Sequence, residues 1–449
     1  AAELIKAEWP DMAVSVSSAV VGEISEYPRF VTTCANAFVQ PLMARYLTRL
    51  GERLREDGLT CPFFLMTSGG GLASLDTAIR FPIRLVESGP AGGAILAARI
   101  AAQMNLDSVV SYDMGGTTAK VCLIDKGRPQ TSRQFEIGRA ERFMKGSGLP
   151  VRIPVIEMIE IGAGGGSVAG VDRLGRITVG PDSAGSEPGP ACFNRGGVRA
   201  TVTDSDVALG HIDADTFAEG RLRVERVLAE AALLADVGRA LDLESRQAAF
   251  GVSQIVDENM ASAGRVHAVE CGKNLNTRTM IAFGGNGPLH ATRVAEKMGV
   301  DEIVIPKDPG VGSAIGFLFA PVSYEIVKSH YTTLAAFDLA GVNRLLSTMQ
   351  GEAEVIVRAG SRGEDLMETR TAFMRYKGQG HEIEVDLPVR ELTEADMDLL
   401  RLRYEDAYRA QFHRAVPGMV LEIMNWAVTL STRQESVPVT ETQKIRNRD

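Results

Sequence analysis

The stretch that most constrains this chain is Ser108-Val-Val-Ser-Tyr-Asp-Met-Gly-Gly-Thr-Thr-Ala-Lys-Val-Cys-Leu-Ile-Asp125. Apolar residues lead into Asp113, Gly115 and Gly116 permit a tight turn, and Val121 to Ile124 read as a second strand. A hairpin with this tip offers backbone N–H groups and the hydroxyls of Thr117 and Thr118 to a phosphate. Beside them Asp113 is a carboxylate able to hold Mg2+ directly or through water. No G-x-x-x-x-G-K-[ST] precedes a helix here, so this is not that type of nucleotide loop. A strand follows the turn instead of a helix, which excludes the dinucleotide fingerprint. An ordinary hairpin with a Gly-Gly tip is the plain alternative.

The rest of the chain bounds the problem. Its 449 residues leave room for about two or three domains and a large core. A formal charge of -9 gives no electrostatic case for nucleic acid or an anionic membrane surface. No stretch approaches the roughly 18 uninterrupted apolar residues of a membrane span. Five cysteines (Cys34, Cys61, Cys122, Cys192, Cys271) lie scattered without C-x-x-C spacing. Such a set fits reduced thiols in a cytoplasmic protein better than disulfides or a zinc site.

In chain order, residues 1–28 read as a connecting arm. A helix is expected over 29–57, kinked or restarted at Pro41, and a core strand over Cys61–Thr67. Ile83–Val86 reads as a strand, followed by the loop Glu87-Ser-Gly-Pro-Ala-Gly-Gly93 and an Ala-rich helix to Met104. Ser88 and Gly89 thereby become candidates for anion binding at a helix start, with a plain tight turn as the alternative. The basic segment 128–153 reads as a mobile surface loop. A strand then runs into Gly162-Ala-Gly-Gly-Gly-Ser167, which makes Gly164 and Gly165 ligand candidates. Asp204, in Thr201-Val-Thr-Asp-Ser-Asp206, is either an N-cap or a second carboxylate near a nucleotide metal. Helices are expected over Leu222–Leu243 and Ser245–Glu270. Strand Thr279–Phe283 passes through Gly284-Gly-Asn-Gly-Pro-Leu-His290 into another helix, a geometry that lets a base or phosphate lie against backbone at Gly284, Gly285 and Gly287. His290 reads as a buried structural histidine or a ligand contact. The segmentation is a core over 29–325, a smaller α+β domain over 326–431 and a polar tail over 432–449.

Six motifs in this order resemble the hydantoinase A/5-oxoprolinase family: Ser88-Gly-Pro-Ala-Gly-Gly93, Asp113-Met-Gly-Gly-Thr117, Gly162-Ala-Gly-Gly-Gly-Ser167, Val179-Gly-Pro-Asp-Ser-Ala-Gly185, Thr201-Val-Thr-Asp204 and Phe283-Gly-Gly-Asn-Gly-Pro-Leu-His290. The resemblance implies an α/β, actin-like and sugar-kinase-like ATPase lobe with ATP and Mg2+ as cofactors. Asp113 would stand at the metal, Gly115, Gly116, Thr117 and Thr118 at the phosphates, and Gly284, Gly285 and Gly287 toward adenosine. It also implies a hetero-oligomer with a hydantoinase B-type subunit. Two departures stand out. Family members begin with a domain carrying its own D-x-G-G-T-F-T-D loop, whereas Ala1 lies in the arm that follows it. That lobe is therefore expected to have been removed or to be a separate chain, and this polypeptide alone to hold ATP poorly. Further on, the commoner Ser-Thr-Asp after the loop is replaced by Thr118-Ala119-Lys120, so that Lys120 either engages phosphate or faces solvent.

The activity implied is ATP-dependent hydrolysis of a cyclic amide of hydantoin or 5-oxoproline type. The amide oxygen is phosphorylated before ring opening, which turns a poor leaving group into a good one. ATP-dependent carboxylation of a ketone such as acetone is the alternative within the same family. A non-catalytic actin-like scaffold for the B-type subunit is the alternative from another class.

Overall fold

The computed structural model describes residues 2–138, 146–220 and 222–432. The chain forms two compact units, one from 1–91, 131–156 and 320–436, the other including 92–130 and 157–319. Neither is a continuous piece of chain.

The second unit is built on a mixed sheet. Strands β1 (Ser108–Met114) and β2 (Ala119–Asp125) form the expected hairpin, with Asp113 opposite Lys120. β3 (Met158–Ile161) adds antiparallel to β2. On the other side β4 (Thr279–Phe283) runs parallel to β1, with Phe283 opposite Asp113, and β5 (Glu302–Val304) runs parallel to β4. The order is β3-β2-β1-β4-β5. β1 sits at the centre, and Val109, Val110, Tyr112 and Met114 are fully buried. Both faces of a central strand are covered in such α/β layers, so its apolar residues run on without alternation. One face, carrying Val110, Tyr112, Val121 and Leu123, packs against helices Ser245–Glu270 and Gly287–Met298 through Val256, Met260, Val294 and Met298. This is the α/β lobe that the resemblance implies.

The first unit carries a four-stranded antiparallel sheet, β6 (Ser323–Thr333), β7 (Leu366–Tyr376), β8 (Ile383–Asp386) and β9 (Leu421–Thr432), in the order β6-β9-β7-β8. Helices Leu339–Arg358 and Asp396–Phe412 cover it, and their Leu346, Met349 and Tyr404 close over Trp426, whose Nε1 donates to His330 O at 2.9 Å. This is the smaller α+β element expected beyond the core.

Several local expectations are corrected. Residues 1–28 are more than an arm, because helices Ala2–Glu8 and Ser17–Val20 form and Gly22 bridges Lys328 on β6. A single helix spans Glu26–Glu56 with Pro41 inside it. Ile83–Val86 is no strand: Pro82 starts a 3-10 turn over Pro82–Leu85. The segment 87–93 is no loop, since the helix already begins at Ser88. The helix expected over Leu222–Leu243 starts at Arg226 and passes through a π-helical turn at Leu234–Gly238. The basic segment 128–153 forms short strands over Arg128–Pro129, Thr131–Ser132, Phe135–Ile137 and Leu149–Val151; its residues 139–145, like the tail 433–449, lie outside the described residues. Among the described residues no helix is long and apolar enough to cross a membrane.

The glycines of the Ser88–Gln103 helix answer a packing demand. A methyl group on Gly316 would overlap the carbonyl oxygen of Gly92, and one on Gly93 would lie 2.7 Å from the Phe283 ring. Gly316→Ala is therefore expected to destabilise the second unit by about 1–3 kcal/mol or more through overpacking. Gly351→Ala, in the Leu339–Arg358 helix with open space around it, is expected to stabilise by about 0.5–1 kcal/mol. Denaturant unfolding of both variants checks the pair, and a neutral Gly316→Ala would contradict it.

Candidate functional site

Three glycine-rich turns meet at the carboxyl ends of β1 and β4, where ligands of open α/β sheets bind. The first is the hairpin tip, closed by Gly115 N–H donating to Thr118 O at 3.0 Å. The second is the turn after β3. Its Gly165 N–H donates to Gly115 O at 3.1 Å and its Gly166 N–H to Gly116 O at 2.6 Å. The third follows β4, where Asn286 donates from its backbone to Met114 O at 2.9 Å and from Nδ2 to Gly115 O at 3.0 Å. Two of these approaches require glycine. A methyl on Gly164 would lie 2.6 Å from Thr117 N. Gly284 has φ +92 and its methyl would lie 2.5 Å from Asp113 Oδ1.

The expected residues divide clearly. Gly116 and Thr117 are exposed at the tip, and a methyl on Gly116 would meet nothing within 4 Å. Asp113 is half-buried, and its Oδ2 accepts from Ser313 Oγ at 2.9 Å. Burial pushes its carboxyl up, opposed by Ser313 and by Lys120. Lys120 Nζ donates to Thr118 Oγ1 at 2.8 Å and pairs with Glu160 at 3.4 Å, so it neither faces solvent freely nor points alone at a ligand. Gly164 and Gly165 stand behind the tip with their N–H groups used, by Ser167 Oγ at 2.9 Å and by Gly115. They shape the turn. Gly285 and Gly287 are adjacent but unforced, because a methyl on Gly285 meets nothing and one on Gly287 nothing nearer than 3.7 Å. Ser88 and Gly89 open their helix in the other unit.

Asp204 is placed differently from both expectations. The N-cap is Thr201, and Asp204 is the third residue of a capping box. Its fully buried carboxylate accepts from Thr201 N and Oγ1, Ala191 N and Cys192 N at 2.7–3.2 Å. Both oxygens are therefore already engaged within the fold. Among the described residues no three His, Cys, Asp or Glu side chains gather to hold a metal. One carboxylate, Asp113, beside a candidate phosphate loop would still fit Mg2+, which keeps several waters and takes few protein ligands when phosphates supply the rest.

Ser313, Asn286 and a buried charge cluster escape sequence reasoning. His290 lies between Asp257 Oδ1, 2.7 Å from Nδ1, and Asp206 Oδ2, 3.2 Å from Nε2, all three side chains being almost wholly buried. Burial alone would lower its pKa, but the two carboxylates outweigh burial and raise it to about 10. For Asp206, burial pushes upward and is outweighed by His211 and His290, which hold it below the usual range. A sequence signal existed in Asp257, a lone carboxylate on the apolar side of its helix, but nothing local names its partners.

Because the folded value of His290 lies above the ordinary 6.5, its ionic contribution is complete below about pH 6.5 and is lost as pH rises toward 10. The thermal midpoint of the chain is expected to fall between about pH 7 and 10. His290→Gln should cost about 3–5 kcal/mol by leaving two buried carboxylates unpaired, and should flatten that slope. Thermal melts across this range check both, and an unchanged slope would contradict the assignment.

A hydantoinase/oxoprolinase family model matches residues 29–326. The chain is 34% identical over 388 residues to an uncharacterised protein of Methanocaldococcus jannaschii, covering 86% of this chain and 56% of that one. It is 30% identical over 446 residues to the caprolactamase subunit alpha of Pseudomonas jessenii, covering 98% and 62%. The crystal structure of the ATP-dependent caprolactamase from Pseudomonas jessenii superposes with a TM-score of 0.82 at 29% identity, over 99% of this chain and 63% of that one. The chain thus spans less than two-thirds of the length of these relatives. With the family model covering most of its length and the glycine turns that carry the motifs meeting at one place, the chain belongs to the hydantoinase/oxoprolinase family.

Proposed function

We propose that the chain is one subunit of an ATP-dependent hydrolase of cyclic amides, working with a hydantoinase B-type partner. The observation that carries the reading is the convergence of Gly115, Gly165 and Asn286 beneath an exposed tip whose flank is Asp113. Bound MgATP would supply the phosphoryl group that makes the amide oxygen a leaving group. The residues do the positioning and charge neutralisation that such transfers demand. The N–H groups of Gly116 and Thr117, with the hydroxyls of Thr117 and Thr118, would be the donors offered to the phosphate oxygens. Asp113 would hold the metal, its carboxylate already oriented by Ser313 Oγ. Lys120 occupies an acceptor site of the Thr118 oxygen, which leaves the hydroxyl hydrogen to point at phosphate, and so acts as a positioning residue. Similarity to caprolactamase supports a lactam or related ring as the substrate class.

In the assembled enzyme, Asp113→Asn is expected to lower ATP turnover by about 100-fold or more while leaving subunit assembly intact. Turnover stimulated by a lactam without bicarbonate is the expected result. A requirement for bicarbonate would replace the hydrolase reading with the carboxylase one. Full turnover in Asp113→Asn would leave only a scaffold.

A further inference from the structure

The first unit encloses a cavity of about 240 Å3 between the turn after Phe64–Met66, the segment 131–133 and one face of the β6-β9-β7-β8 sheet. Its walls carry opposite charges that do not satisfy each other. Arg133, 14% exposed, gives one nitrogen to Glu23, but among the described residues its buried Nε and Nη1 have no hydrogen-bond partner. Glu23 is shared, since Arg152 Nη1 reaches its other oxygen at 3.0 Å, so two guanidiniums divide one carboxylate. Glu384 also lines the cavity, and so does Glu325. Among the described residues its buried Oε1 has no partner, and Oε2 has only a long contact from Thr429 Oγ1 at 3.5 Å. Burial pushes the Glu325 carboxyl up against the opposing pull of Arg133 and Arg84.

Neighbours fix both groups in place. The Arg133 guanidinium stacks 4.1 Å from the Phe373 ring centroid. Arg84, 4.3 Å over the Tyr324 ring, donates to the main-chain oxygen of Glu325 at 3.1 Å. Each buried, unpaired polar atom costs about 1–3 kcal/mol, and a direct bond between the free atoms of Arg133 and Glu325 would remove two of those costs. Among the described residues no hydrogen bond or ion pair joins them, although both line the cavity. A dianion would be repelled by Glu325 and a metal ion by Arg133. A molecule carrying both charges satisfies both walls. Hydroxyls of Thr131, Ser132 and Thr371 on the lining add neutral partners.

We propose that this cavity binds a small amino-acid zwitterion, its carboxylate on Arg133 and its ammonium group on Glu325. The site uses no residue of the glycine turns, so it stands apart from the phosphate reading.

Calorimetric titration of the full chain with three probes of one length tests it. 5-Aminopentanoate is expected to bind saturably. Pentanoate and pentylamine, each lacking one charge, are expected to bind at least about tenfold more weakly. Glu325→Gln should abolish the preference for 5-aminopentanoate over pentanoate, and Arg133→Gln the preference over pentylamine. Asp113→Asn should leave all three titrations unchanged, which separates this site from the proposed phosphate site. Absence of saturable binding by 5-aminopentanoate, or equal binding of all three probes by the unmodified chain, overturns the proposal even if a variant fails to fold.

Discussion

The carbonyl oxygen of Gly115 accepts two hydrogen bonds, from Gly165 N–H at 3.1 Å and from Asn286 Nδ2 at 3.0 Å, and the order at the strand ends depends on it. A two-strand hairpin tip of Gly-Gly-Thr-Thr would by itself sample many conformations, because glycine loses the most freedom when fixed. Here its carbonyls are held from below by one turn and from the side by another. The tip itself, Gly116 and Thr117, stays exposed. Preorganised donors of this kind need no rearrangement when an anion arrives, which is where their electrostatic advantage lies.

Close approach is what links these turns, and side chains are what it excludes. Gly164 lies against the Gly116–Thr117 peptide and Gly284 against Asp113. By contrast, Gly116, Gly285 and Gly287 have room for a methyl group at their Cβ positions. Glycine-rich sequence therefore mixes two demands that look alike in one dimension: backbones in contact, and backbone left open for something else. The Ser88–Gln103 helix shows the first in another setting, its Gly92 and Gly93 serving a tight helix crossing and a ring contact instead of an anion.

Beneath the turns, His290 joins Asp206 from the Val202–Leu209 helix to Asp257 from the Ser245–Glu270 helix. Buried ion groups seldom add stability over apolar packing, but they are costly to break once present. Their directionality fixes how three helices sit over the sheet, and one of those helices begins at the third glycine turn. The first unit solves its charge problem differently. It leaves Arg133 and Glu325 with unused atoms on a common cavity, and the two units therefore show buried charge both saturated and unsaturated.

The sequence by itself determined the central hairpin, a strand over Thr279–Phe283, a smaller α+β element and the family. Each rests on short-range pattern: apolar runs, turn glycines and motif order. Strand versus 3-10 turn at Pro82–Leu85, and loop versus helix at Ser88–Gly93, were decided by tertiary packing, because four to seven residues carry too little periodicity to choose. The role of Asp204 also came only with the fold, since a capping carboxylate and a metal carboxylate are the same residue until the N–H groups of Ala191 and Cys192 arrive to saturate it. The same holds for Ser313 beside Asp113, 200 residues away in the chain, and for the pairing of Asp206, Asp257 and His290. Hydrogen bonds and ion pairs act over about 3 Å in space and carry no signature along the chain, so only the folded arrangement could reveal which polar residues meet.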